Sequence, residues 1–169
     1  MRSRLGSEKI DIYDLQIIGN HVGKKKCSFF HIINFEKPIL IGVHLNNKGY
    51  LPSGETIDDL ITITSDYNTC GIIAACVSPE IVNLAMPKLT NQKLPFGFKV
   101  NAFKNIPENN PLDADLYDNG YPTERYGTRA NEFNPEVFKE FVQNKLKDGA
   151  TLLGGCCEIK PRHIKALTK

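Results

Sequence analysis

Apolar and polar positions along the chain fall into short, recurring blocks. Residues 10–18 (IDIYDLQII) are apolar and rich in β-formers, and residues 38–45 (PILIGVHL) form a near-continuous apolar run, as a strand covered on both faces does. Residues 70–75 (CGIIAA) repeat that signal, 97–103 (GFKVNAF) alternate more weakly, and 150–153 (ATLL) make a short last strand. Helix signals occupy the gaps. Ser78-Pro79-Glu80 sets an N-cap, a first-position proline and an early carboxylate ahead of IVNLA. Asn134-Pro135-Glu136 repeats the device and opens a helix with Val137, Phe138, Phe141, Val142 and Leu146 on one face and Gly149 as its stop. Pro161 begins a last short helix with Ile164 and Leu167 turned inward. Strands and helices alternating at this spacing predict βα units and a parallel sheet, an α/β fold. The polar stretch 104–133, rich in Asn, Asp and Pro, is a loop too long for a mere connector.

Composition narrows the class. With 169 residues, 41% apolar and 24% charged, the chain is one domain's worth of ordinary globular sequence, which excludes a disordered tail, a fibre and a membrane bundle. Twenty-one basic against nineteen acidic residues leave a net charge of +2, so no single-sign field points to nucleic acid or an anionic membrane. The one dense basic run, Lys24-Lys25-Lys26, reads as solvated surface. No apolar stretch approaches the ~18 residues of a spanning helix, and no apolar segment follows Arg2 and Arg4 as in a leader. Five cysteines are odd in number and too sparse for a disulfide scaffold, so a cytoplasmic protein is expected.

The cysteines carry the candidate chemistry. Cys76 follows a predicted strand and precedes a helix start, while Cys156 and Cys157 follow the last strand after Gly154-Gly155. Strand C-terminal ends are where parallel α/β folds gather ligands. Three thiols there can converge on one soft metal, Zn²⁺ or Cu(I), and three ligands leave one tetrahedral position open, as in catalytic zinc sites. The competing reading is that the cysteines only pack, and it is the one applied to Cys70, inside a strand, and Cys27, beside the lysines. Adjacent Cα atoms stand ~3.8 Å apart, below the usual disulfide range, so Cys156 and Cys157 are poorly placed to pair with each other. Spacing alone leaves the metal site and the packing role both open.

GATLLGGCCEIKPRHIKAL at 149–167 resembles the C-terminal signature of the zinc-dependent homocysteine S-methyltransferases: GGCC, a proline five residues after the first Cys, then His-Ile. GIIAACVSPEIV at 71–82 is similar to that family's strand ending in Asn-Cys-x-x-Pro, with Ala75 in place of the Asn. KPILIGVHLNNKGYLPSGETIDDLI at 37–61 resembles the preceding unit with its Gly-x-x-x-Ser-Gly turn, and IDIYDLQII looks like the strand that there ends in Phe-Glu-Thr-Ile-Pro.

The resemblance implies a (β/α)₈ barrel that holds Zn²⁺ through Cys76, Cys156 and Cys157, with the homocysteine sulfur as fourth ligand. It further implies transfer of a methyl group to homocysteine from a donor such as S-methylmethionine or S-adenosylmethionine, giving methionine. The family's acidic residue for the homocysteine ammonium aligns with Gln16, which supplies an amide but no charge. Its Pro-Asn-Gly turn is barely recognisable at Val100-Asn101-Ala102. A closed barrel takes ~200 residues or more, so the whole of 1–169 is expected to be a partial barrel, the last five βα units without the first three. Two raw sheet edges then invite self-association. The alternative to an active enzyme is a catalytically incomplete zinc-binding fragment or partner subunit.

Overall fold

The computed structural model describes residues 3–5, 8–10, 13–17, 38–52, 54–65, 67–105 and 126–168, with side chains from residue 38 onward. A two-stranded antiparallel hairpin, β1 (Ser3–Leu5) and β2 (Glu8–Ile10), precedes a five-stranded sheet of β3 (Tyr13–Ile17), β4 (Ile39–Val43), β5 (Thr69–Val77), β6 (Phe96–Val100) and β7 (Leu152–Gly155). The five strands are all parallel, and their order in the sheet is their order in the chain. That is a stretch of (β/α)₈ barrel wall, and it does not close. The five predicted strands are all present; the hairpin was not foreseen. Among the described residues, no helix is long and apolar enough to cross a membrane.

Helices pack one face of the sheet. In α1 (Ile57–Thr64) the Thr56 hydroxyl accepts from the Asp59 N–H at 3.1 Å while the Asp59 carboxylate accepts from the Thr56 N–H at 2.8 Å, a reciprocal cap. The predicted starts hold for the next two. Ser78 caps α2 (Pro79–Leu89), and Asn134 accepts from the Glu136 and Val137 N–H groups to cap α3 (Pro135–Lys147). Gly149, at φ +92°, ends α3 as expected. The last helix is α4 (Pro161–Ala166).

Two helix faces differ from expectation. On α3, Phe138 and Val142 are buried and Phe141 partly so, but Val137 and Leu146 are exposed. On α4 it is His163 that is fully buried, while Ile164 is exposed and Leu167 only partly covered. The imidazole wins that position because it finds partners: Nδ1 accepts from the Lys160 N–H at 2.9 Å, and Nε2 lies 3.2 Å from the Phe133 carbonyl.

Strand periodicity sorts the sheet residues. Ile41, Val43, Ile72, Ala74, Phe98 and Val100 join the helices in the main core. Alternate positions belong to the other face, and they include a small residue on each of four strands: Gly42, Ala75, Gly97 and Gly154. At Gly97 nothing larger fits, since a Cβ would stand 1.7 Å from the Leu152 carbonyl oxygen. This second face ends at the strand C-termini, where the cysteines lie.

Candidate metal centre

Cys76 is aimed by an irregularity in its own strand. The pairing of β5 with β6 slips between Ala75 and Val77, leaving Cys76 as the extra residue of a bulge at φ +55°. A bulge turns one side chain out of the normal alternation, and a non-glycine residue at positive φ is a strained position that its surroundings must hold. The holder is Asn101, just past β6 and fully buried. Its Nδ2 donates to the Cys76 carbonyl at 2.8 Å and its Oδ1 accepts from the Phe103 N–H at 3.2 Å.

Cys156 and Cys157 arrive from β7. The Cys156 N–H donates to the Val100 carbonyl at 2.7 Å, and the Cys157 carbonyl accepts from Ala102 at 3.0 Å, so both cysteines are stitched to the end of β6. Glu158 then turns the chain at φ +65°, its carboxylate accepting from Thr128. Neither Gly154 nor Gly155 takes a positive φ; at this rim the positive values fall on Cys76 and Glu158. Gly155 serves close approach, because a Cβ there would meet Ile159 Cγ2 at 2.2 Å.

The three thiols converge. Sγ of Cys157 lies 3.7 Å from Sγ of Cys76 and 3.9 Å from Sγ of Cys156, and all three sulfurs lie within 4.8 Å of one another. Sulfurs bound to one tetrahedral Zn²⁺ at ~2.3 Å sit about 3.8 Å apart, so the spacing suits that ion. The electrostatics agree. The Cys156 pKa is drawn down to about 3 by hydrogen bonds from the Cys157 and Cys76 thiols, against burial and with help from the Lys99 cation. The hydrogen bonds donated to Cys156 in turn push Cys157 up to about 11 and raise Cys76, with burial and the charge on Cys156 adding to both. The cluster thus parts with its first proton readily and with the others reluctantly, the behaviour of a donor set that needs a cation to hold three thiolates together. Cys70, the other described cysteine, is free and stands outside the cluster.

Other expectations resolve less fully. Gln16 lies on β3 in register with Gly42; its side chain is outside the described residues, as are Cys27, Lys24 to Lys26, and residues 106–125 of the long loop. Two residues to which the sequence reading gave no role in the site matter here. Asn101 is the brace just described. His44, immediately after β4, is 5% exposed, and its Nδ1 is buried without a hydrogen-bond partner. Burial lowers its pKa, partly offset by the Ala75 and Cys76 carbonyls, which keeps the ring neutral at pH 7. The available signal was a lone histidine closing an apolar run.

The described residues form an α/β protein with a parallel, open five-stranded sheet and three thiols at its C-terminal rim that could hold a metal ion. The sequence profile of the homocysteine S-methyltransferases matches residues 11–169, and the chain belongs to that family. It is similar to Homocysteine S-methyltransferase 2 of Saccharomyces cerevisiae, at 23% identity over 173 residues that cover 96% of this chain and 48% of the yeast protein. The chain therefore spans about half the length of that relative.

Proposed function

We propose that this chain binds Zn²⁺ through the thiolates of Cys76, Cys156 and Cys157 and serves methyl transfer to the thiol of homocysteine. The observation that carries the reading is the sulfur triangle with its 3.7 and 3.9 Å edges. When bound, zinc supplies Lewis acidity, so that a thiol with a free pKa near ~8.5 is available as thiolate at neutral pH. The rest falls to the protein. The bulge at Cys76 and the turn after Cys157 aim the three donors at one point, and their negative charge leaves an incoming sulfur electron-rich. Small residues on the adjoining sheet face leave room beside the thiols for a substrate.

The reaction balances as a displacement. The homocysteine thiol releases its proton on binding, its sulfur forms a bond to the donor's methyl carbon, and the methyl–sulfur bond of the donor breaks with its electron pair returning to the donor sulfur. A sulfonium donor, S-methylmethionine or S-adenosylmethionine, leaves as a neutral thioether, and the product is methionine. In-line approach of two substrates calls for orientation and exclusion of water.

The open sheet favours a second reading for this stretch taken alone. Residues 1–169 supply the metal-holding units of a barrel, and turnover requires further βα units, because barrel sites draw on the ends of several strands. The same open edges favour self-association, and a cytoplasmic setting suits reduced thiols. Zinc content, solution mass, and methionine formation with each donor test these points together. Stoichiometric zinc with thiol binding supports the family chemistry, and little turnover is expected from the chain by itself. Absence of both zinc and thiol binding would overturn the proposal, and robust turnover by a monomer would overturn the second reading.

A further inference from the structure

We propose that Lys99 receives the carboxylate of the thiol substrate, so that this site selects thiols bearing a carboxylate and does not depend on an ammonium group. The inference rests on the thiol-binding reading above. Lys99 lies on β6, in register with Ala75 on one side and Gly154 on the other, on the sheet face that the helices leave free. Its stem runs beside Gly154, where a Cβ would stand 3.9 Å from Lys99 Cγ, and Gly154 is two residues from Cys156.

Lys99, unlike four cations elsewhere on the chain, has no acidic partner among the described residues. Lys104, Arg129, Lys145 and Lys160 each pair with a carboxylate, at Glu132, Glu80, Asp148 and Glu158 respectively. Among the described residues no carboxylate pairs with Lys99, and the free face of β4 to β7 carries none. A second polar group faces the same region without a partner: His44 Nδ1, buried beside Ala75 and Cys76. On a sheet face that also carries Gly42, Ala75 and Gly154, an imidazole nitrogen and an ammonium are both available to an anionic head group. At the position which the family resemblance links to the substrate ammonium, this chain has Gln16 and hence no charge to offer it.

Three thiols separate the possibilities when titrated into the zinc-loaded chain: homocysteine, 4-sulfanylbutanoate, which lacks the ammonium, and 3-aminopropane-1-thiol, which lacks the carboxylate. Homocysteine and 4-sulfanylbutanoate are expected to bind within about threefold of each other, with the amine weaker by about tenfold or more, as for one charge-assisted hydrogen bond. Lys99→Gln should weaken the two carboxylate-bearing thiols about tenfold and leave the amine unchanged, and Lys99→Arg should restore selectivity. An equal loss for all three thiols, or for zinc itself, would mean that Lys99 only balances the charge of the thiolates, and would overturn the inference while leaving the thiol-binding reading intact. Unchanged selectivity in Lys99→Gln overturns it likewise. Failure of every thiol to bind overturns both.

Discussion

The side-chain amide of Asn101 holds the backbone carbonyl of Cys76 at 2.8 Å, tying the end of one strand to the bulge of its neighbour. Cys76 occupies a left-handed conformation that a cysteine does not adopt by preference, and this bond is what fixes it there. Asn101→Ala should therefore act on stability and on the metal together. Each buried group left unpaired, the Cys76 carbonyl and the Phe103 N–H, costs about 1–3 kcal/mol. Zinc affinity should fall about 10–100-fold, as for loss of an outer-sphere partner of a metal ligand. Urea denaturation and chelator competition measure the two. Lost stability with unaltered zinc affinity would make Asn101 a general brace that does not aim Cys76.

The cysteines are separable one by one. Serine in place of Cys76, Cys156 or Cys157 removes one corner of the sulfur triangle, and zinc affinity should drop by more than about 100-fold, the upper end of what an outer-sphere change does. Cys70→Ser should keep full zinc content, because Cys70 stands outside the cluster. Metal analysis after gel filtration reads the outcome. Full zinc in Cys156→Ser would remove Cys156 from the ligand set.

The parallel sheet was legible in the sequence because 38–45 and 70–75 are near-continuous apolar runs, as burial on both faces demands, and helix starts alternate with the strands. The same cue misled on the helices. Hydrophobicity ranks Ile164 above His163, but α4 buries the residue whose two nitrogens find partners in Lys160 and Phe133. On α3 the pattern takes in Val137 and Leu146, although only the stripe through Phe138, Phe141 and Val142 meets the core. Helix α1 went unread between turn-rich segments, where the Thr56-x-x-Asp59 cap was the signal. For the site, strand ends located the three thiols, since a βα unit must deliver them to the same rim. The bulge that aims Cys76 was invisible, because a bulge is a mismatch between two strands and no single strand records it.

His163 offers a test of structure against ligation. It sits in the same C-terminal segment as the cysteines, yet it is fully buried, edge-on to Phe138 at 5.8 Å between ring centres. Acceptance from the Lys160 N–H fixes the proton on Nε2, which donates to the Phe133 carbonyl. His163→Leu keeps an apolar body but strands both backbone groups, so it should cost about 1–3 kcal/mol for each. Zinc stoichiometry should stay at the wild-type value in whatever fraction remains folded. Loss of zinc from folded protein, judged by circular dichroism and metal analysis on the same sample, would place the imidazole in the metal site after all.

Gln16 tests the other end of the substrate. The resemblance aligns it with a carboxylate that meets the homocysteine ammonium, and β3 carries it in register with Gly42, two positions before His44. An amide oxygen accepts a hydrogen bond from that ammonium but contributes no charge; a carboxylate contributes both. A charge-assisted hydrogen bond is worth roughly 1.5–3 kcal/mol against about 1 for a neutral one. Gln16→Glu should therefore tighten homocysteine binding by a few-fold to about tenfold, and should do nothing for 4-sulfanylbutanoate, which has no ammonium to meet. The two thiols together separate a specific contact from a general effect: added negative charge near a thiolate cluster alone would weaken both. Calorimetric titration of zinc-loaded wild type and variant measures the difference. Equal or weaker homocysteine binding in the variant would show that position 16 does not face the ammonium, and would move that end of the substrate to another strand.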